Sequence, residues 1–283
     1  MGRYLRPQVF QPNPWKTMNL LLIDNSNTRT KFALGDVCGL GTWRGVLATA
    51  EISRATLACL LDELVFDAAV IASVVPAKGR ELRAFLERRV PVHMLDHRSP
   101  LGMGIDYPEP GQIGADRLAN AVGVLARHGA PAVVIDSGTA VTFDIVSAAP
   151  AYCGGVIAQG LGAMTGYLAQ KTALLPEIVL EEPRSAIGKS TIHAMQVGAV
   201  FGYRGLVREI LARICAELPG TPKIIVTGGD AELIAQGIPE IDAVDNDLTL
   251  EGIRRVALAV YAPDGGHRPP LQGSTGTNCS GAL

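Results

Sequence analysis

Aromatic residues are scarce, at 5% of 283 positions, and neither sign of charge dominates, the formal net charge being −2 at pH 7. A chain so balanced offers no electrostatic footprint for nucleic acid. No apolar run reaches the roughly 18 residues needed to cross a bilayer. The first residues, MGRYLRPQVFQPNPWKT, lack the apolar centre of a secretory signal. Five cysteines (Cys38, Cys59, Cys153, Cys215 and Cys279) are scattered without a CxxC pair. Their odd number argues for a reducing compartment, and their spacing excludes a structural zinc site. The five histidines, at 93, 97, 128, 193 and 267, show no ligand spacing either. A nucleophile elbow of the GxSxG type is missing. The stretch Gly188-Lys189-Ser190-Thr191 has the end of a P-loop, but Pro183 stands where its first glycine belongs. These absences leave a cytoplasmic protein, with neither membrane nor nucleic acid as partner, as the expectation.

What is abundant is small and apolar. Hydrophobic residues make up 48% of the chain, with Ala, Val, Leu and Gly prominent, a balance typical of α/β proteins. Apolar strand-like runs at Leu20–Asp24, Thr30–Leu34, Ala68–Val74, Val92–Leu95, Ala132–Asp136, Thr142–Val146 and Lys223–Thr227 alternate with helical spacing. The expected helices lie near 55–66, 78–89, 115–128, 160–174, 191–218, 231–236 and 250–261. This order implies mixed sheets flanked by helices, arranged as two lobes with a cleft between. The expected division is an N-terminal lobe over 18–114 and a C-terminal lobe over 115–262. Residues 1–17 read as an extension, with Met18 a second candidate start. The segment 263–283 is too polar to offset the entropy of ordering it and reads as a disordered tail.

The most informative pattern is an echo. LLLIDNSNT, at Leu20 to Thr28, recurs in changed form as VVIDSGT, at Val133 to Thr139, with Asp136 standing 112 positions after Asp24. In each copy an apolar strand ends in Ile-Asp, and small polar residues with a Thr turn the chain into a second strand. Such turns suit phosphate and metal chemistry. Small residues let backbone N–H groups approach an anion, the Asp holds a hydrated cation, and the Thr hydroxyl supplies a donor. Two copies imply related halves that each bring one acidic turn to a shared cleft.

Other candidates surround these turns. In Asp24-Asn25-Ser26-Asn27-Thr28-Arg29-Thr30-Lys31 the polar residues are denser than a hairpin requires. The loop GMGIDYPEPGQIGADR ends at a helix start, where Gly114 and Ala115 precede a carboxylate, Asp116, and a guanidinium, Arg117. There the helix dipole favours anions. Arg117 presents a fork suited to carboxylate or phosphate, and Asp116 is placed to accept a proton from a substrate hydroxyl. Strand alternation puts Ala140, Thr142 and Asp144 on one face, and Thr227-Gly228-Gly229-Asp230 marks a strand end where ligands commonly bind.

The order of the DNSNTRTK turn, Tyr107 followed by GADR, DSGTAVTFD, the GGVI segment, the Ser-Thr before a helix and the late TGGD resembles the type III pantothenate kinases. That family includes the Bvg accessory factors, within the acetate and sugar kinase/Hsp70/actin superfamily. The resemblance spans about residues 19–262. It implies two ribonuclease H-like (actin-like ATPase) lobes and ATP-dependent phosphorylation of pantothenate, the first step towards coenzyme A. It also implies a homodimer, Mg²⁺ with the nucleotide, and K⁺ or NH₄⁺ as monovalent cation. By the same resemblance Asp24, Asn25, Ser26, Asn27, Thr28, Arg29, Thr30, Lys31 and Thr139 bind ATP, with Asp24 near Mg²⁺. Asp116 is the proton acceptor; Tyr107, Gly114, Ala115, Asp116, Arg117 and Thr191 contact pantothenate; and Asp136 binds the monovalent cation. A nucleotide-binding regulatory factor with little activity, or a kinase for another small hydroxylated substrate, are the alternatives. The chain departs from the family where Ser26 replaces a usual Gly and Gln159 a usual Pro. A left-handed turn at 26 would cost Ser on the order of 1 kcal/mol.

Overall fold

Leu20, Leu21, Leu22 and Ile23 are all fully buried, because the strand they form is covered on both faces. In a computed structural model that describes residues 18–261, this strand, β1 (Leu20–Asn25), lies at the centre of the first sheet. It pairs antiparallel with β2 (Arg29–Gly35) and parallel with β4 (Ala68–Ser73). Outside these lie β3 (Leu40–Ala48) and β5 (Val92–Met94), giving the order β3-β2-β1-β4-β5. The extension expected at 1–17 and the tail expected at 263–283 lie outside the described residues.

The second sheet repeats this plan. Its central strand β7 (Ala132–Ser137) pairs antiparallel with β8 (Ala140–Val146) and parallel with β10 (Lys223–Thr227). With β9 (Ala151–Gln159), β11 (Ala243–Val244) and the short β6 (Gly104–Ile105) the order is β11-β10-β7-β8-β9-β6. The run β9-β8-β7-β10-β11 thus has the same connectivity as β3-β2-β1-β4-β5, and the sequence echo is a duplicated fold.

Helices occupy equivalent places in the two halves. On the first sheet, α1 (Arg54–Leu61) follows β3 and α2 (Pro76–Leu86) follows β4. A reciprocal pair of bonds between Ser53 and Thr56 caps α1, and proline opens α2 where its missing N–H costs nothing. On the second sheet, α4 (Leu161–Lys171) and α5 (Thr191–Glu217) follow β9, and α6 (Ala231–Ala235) follows β10. The remaining two, α3 (Ala115–Arg127) and α7 (Leu248–Tyr261), pack against each other between the sheets. They approach so closely that a Cβ on Gly252 would collide with the Ala119 carbonyl, and one on Gly123 with that of Leu248.

One core joins Leu20, Val70, Leu118, Val134, Ile225 and Ile253, drawn from both sheets and both central helices. Two outer cores lie under α1–α2 and under α5–α6. Alternate residues of β1 serve different cores, with Leu20 and Leu22 facing inward and Leu21 and Ile23 outward. Each such side chain contributes about 1.5–3 kcal/mol by leaving water. Two elements cross the expected partition at residues 114 and 115. β6 joins the second sheet, and α7 returns to cover the apolar inner face of β1 and β4.

The expected strands and helices are present with ends shifted by a few residues, the largest shift being α1, which stops at Leu61 and not at Phe66. Strands β3 and β9, and the two-residue β6 and β11, are additional. β3 is mostly exposed and β9 carries two adjacent glycines, so neither shows clear apolar alternation.

Candidate functional site

The two echoed turns meet. Thr28 Oγ1 lies 2.8 Å from Thr139 Oγ1, which brings the β1–β2 and β7–β8 turns together over the ends of the central strands. The late TGGD turn abuts the same place. Gly228 adopts φ +100° against the Ser137 backbone, and the Asp230 amide donates to the Ser137 carbonyl at 3.3 Å.

Asp24 is the penultimate residue of β1 and is 4% exposed. Ser26 Oγ donates to its Oδ1 at 2.8 Å, and Lys31, its partner across the hairpin, places Nζ 3.9 Å from Oδ2. Burial nevertheless pushes the carboxyl up to about 6, with Lys31 and Ser26 opposing and the charges of Asp136 and Asp116 adding. Burial outweighs the ion pair because Lys31 Nζ is distant and its side chain is 40% exposed. Asp116, in the first turn of α3, is also raised by burial; the Arg117 amide, 2.8 Å from its Oδ1, draws it back, and Asp136 pushes it up again. Three carboxylates, from β1, α3 and β7, therefore act on one another at this end of the strands.

The turn divides into two classes of residue. Asn25 and Thr30 are fully buried. Asn25 Nδ2 donates to Thr30 Oγ1 at 2.7 Å, Asn25 Oδ1 accepts from Ser73 at 2.7 Å, and Thr30 Oγ1 meets Thr49 Oγ1 at 3.0 Å. Those side chains brace the turn from beneath. Asn27, Thr28 and Arg29 are exposed and Ser26 partly so. No non-glycine residue among those described has positive φ, so Ser26 carries no left-handed strain.

Arg117 points from α3 to β8. Its Nε donates to Asp144 Oδ1 at 2.6 Å and Nη2 to the Phe143 carbonyl at 3.3 Å. Burial opposes its charge, but Asp144 outweighs this and holds the guanidinium above its ordinary pKa. The guanidinium lies 5.7 Å from the centroid of the Tyr152 ring, and Tyr107 packs edge-on to Tyr152 with centroids 6.2 Å apart. A Cβ on Gly155 would occupy the place of Nη2, so the glycine pair of β9 gives the guanidinium its room.

Under this layer lies a polar network that the sequence does not single out. Asn120 Nδ2 donates to Asp136 Oδ2 at 3.1 Å and to Asp144 Oδ2 at 3.3 Å. Thr249 of α7 donates to Asn120 Oδ1 at 2.7 Å. Asn120 stands one turn beyond Asp116 within an otherwise apolar buried stretch of α3, and a buried amide there was the available signal. Thr249 offers none in sequence.

Gly114 and Ala115 open α3 beside Asp116. Thr191 opens α5, is exposed, and lines a separate cavity of about 560 Å³ with Met164, Leu168, Leu175 and Met195. No hydrogen bond links it to the three carboxylates among the described residues.

No group of three or more His, Cys, Asp or Glu among the described residues forms a metal cage. A lone buried carboxylate with a neighbouring hydroxyl suits a Mg²⁺ whose other ligands are phosphate oxygens and water. Asp24 and Ser26 fit that requirement. No described helix is long and apolar enough to cross a membrane.

Solved structures share this architecture. A Baf family protein from Campylobacter jejuni, described as a transcriptional activator, matches with a TM-score of 0.56 at 19% identity over 83% of this chain and 96% of that one. The activator of 2-hydroxyisocaproyl-CoA dehydratase from Clostridium difficile, solved with ADPNP, matches with a TM-score of 0.51 at 10% identity over 89% and 99%. The fold is that of the actin-like ATPases and sugar kinases, two mixed sheets flanked by helices.

Within that class the assignment narrows. The type III pantothenate kinase family model matches residues 20–213. A protein of Akkermansia muciniphila named type III pantothenate kinase is 54% identical over 240 residues, covering 85% of this chain and 98% of its own. Another of that name, from Methylacidiphilum infernorum, is 43% identical over 267 residues, covering 90% and 96%. The chain belongs to the type III pantothenate kinase family.

Proposed function

We propose that this protein transfers the γ-phosphoryl group of ATP to the primary hydroxyl of pantothenate. The observation that carries the reading is the meeting of Thr28 and Thr139 over Asp24, Asp116 and Asp136, in a chain whose relatives bear that name.

The exposed part of the first turn, Ser26 to Arg29, together with Thr139 and Lys31, cradles the phosphates, while Asn25 and Thr30 brace the turn through their buried bonds. Asp24 would hold Mg²⁺ with the nucleotide, an ion that would supply neutralising charge to the phosphates. Asp136 would hold K⁺ or NH₄⁺. Arg117 receives the substrate carboxylate beside Tyr107, Gly114 and Ala115. The substrate oxygen bonds to the γ-phosphorus as the bond to the β-phosphate oxygen breaks, and ADP leaves. Asp116 takes the hydroxyl proton on a carboxylate oxygen. Its upward shift strengthens it as a base without the need for a covalent intermediate.

Exposed Ile157, Tyr167, Leu174, Ile187 and Ile192 come from β9, α4, α5 and the chain joining the two helices. Apolar side chains left exposed on these elements support a homodimer. The test of the activity is product analysis. Incubation with ATP, Mg²⁺, K⁺ and pantothenate should yield singly phosphorylated pantothenate by mass spectrometry; unchanged pantothenate beside bound ATP would favour a regulatory factor.

A further inference from the structure

We infer that Asp144, with Asn120 and Thr249 behind it, is the positioning assembly for the acceptor carboxylate and acts through Arg117. This rests on the reading of Arg117 as the carboxylate-binding group. The side chain of Asp144 is fully buried, that of Arg117 is 12% exposed, and the two meet at 2.6 Å. The guanidinium therefore spends its Nε on Asp144 and its Nη2 on the Phe143 carbonyl. Nη1 makes no hydrogen bond to the described residues, and with the second N–H of Nη2 it forms the edge left for an incoming anion. Asp144 thus decides which edge of the fork faces the cleft.

What holds Asp144 is equally specific. Its Oδ2 accepts from Asn120 Nδ2 and Thr142 Oγ1, each at 3.3 Å, and its Oδ1 accepts from Tyr152 OH at 3.4 Å. Arg117 Nε and Asn120 Nδ2 can only donate to it, and they oppose the burial that pushes its carboxyl up to about 7. The Asn120 amide can donate to both Asp144 and Asp136 in one orientation alone. The two carboxylates set that orientation, since a flipped amide would turn its carbonyl towards both, and the Thr249 hydroxyl, donating to Asn120 Oδ1 at 2.7 Å, holds the amide in place from α7. A chain of bonds therefore runs from α7 through α3 to the acceptor side of the cleft. Removing Asp144 frees Arg117 to rotate and weakens its hold on an acid, while Asn120 keeps its bond to Asp136 at the second turn.

The test compares pantothenate with its neutral analogue, in which a hydroxymethyl group replaces the carboxylate, by initial rates for wild type, Asp144→Asn and Thr249→Val. Wild type should prefer the acid in kcat/KM. Asp144→Asn should raise the KM for the acid ten- to a hundredfold, leave the KM for ATP within twofold and the analogue's kcat/KM nearly unchanged, and so lose the preference. Thr249→Val, remote from Arg117 and close in shape, should give a smaller loss of the same kind, and it keeps the test valid should Asp144→Asn fail to fold. Folded variants that keep the full acid preference overturn the inference while leaving the role of Arg117 standing. A wild type with no preference for the acid overturns both.

Discussion

Thr28 and Thr139 stand 111 positions apart in sequence and touch hydroxyl to hydroxyl at 2.8 Å. Each sits at the tip of one of two duplicated hairpins, so this contact is where the two halves of the fold close on each other. The contact uses one hydroxyl proton and leaves the other to donate to a phosphate between the turns.

Thr139→Val keeps the shape and removes the donor. A hydrogen bond to a charged group contributes about 1.5–3 kcal/mol, so the KM for ATP should rise roughly ten- to a hundredfold. Pantothenate KM should be nearly unchanged. Initial-rate kinetics with each substrate varied in turn checks this, and an unaltered ATP KM would remove Thr139 from the phosphate site.

Asp116→Asn replaces the proposed base with a group that cannot take the proton. Turnover should fall by roughly two orders of magnitude or more, while ATP-induced thermal stabilisation persists. Near-normal turnover would exclude Asp116 from proton transfer.

Asp24 gives a pH signature of its own. Burial pushes its carboxyl up to about 6, above the ordinary value of 3.8, so the folded state holds the proton more tightly than the unfolded chain. Stability from this group is greatest near pH 4 and falls as pH rises to about 6, by on the order of 3 kcal/mol. Denaturant unfolding of the protein without divalent cation or nucleotide, at pH 4.5 and at pH 7, should show about 2 kcal/mol of that loss, the rest having gone below pH 4.5. Asp24→Asn should lack it, and an identical pH dependence in the variant would contradict the burial argument.

Ser26→Gly introduces the residue that the family resemblance implies at this position. Because Ser26 is not left-handed, glycine should destabilise by up to about 1 kcal/mol through the freedom it adds to the unfolded chain. It also removes the bond to Asp24. A gain in denaturation midpoint would mean that the turn prefers a left-handed residue.

Much of this was legible in the sequence because it rests on local pattern. The echo of LLLIDNSNT and VVIDSGT states the duplicated strand and turn, and Asp24, Asp116 and Asp136 stand at strand or helix ends where chemistry is expected. The contact between Thr28 and Thr139 follows from that symmetry. Residues that work through long-range contact were not legible. Asn120 and Thr249 are brought together by the crossing of α3 and α7, across 129 positions, and no local pattern encodes the crossing. The bracing role of Asn25 and Thr30 was hidden for another reason. Their polar side chains look cleft-facing in a hairpin, but they turn inward to Ser73 and Thr49.

The most direct measurement is ADP release by the purified full chain with ATP, Mg²⁺ and K⁺, with and without pantothenate. A pantothenate-dependent rate that saturates is the predicted result. A rate indifferent to pantothenate, in protein that still binds ATP by thermal shift, would contradict the assignment of this cleft to a pantothenate kinase.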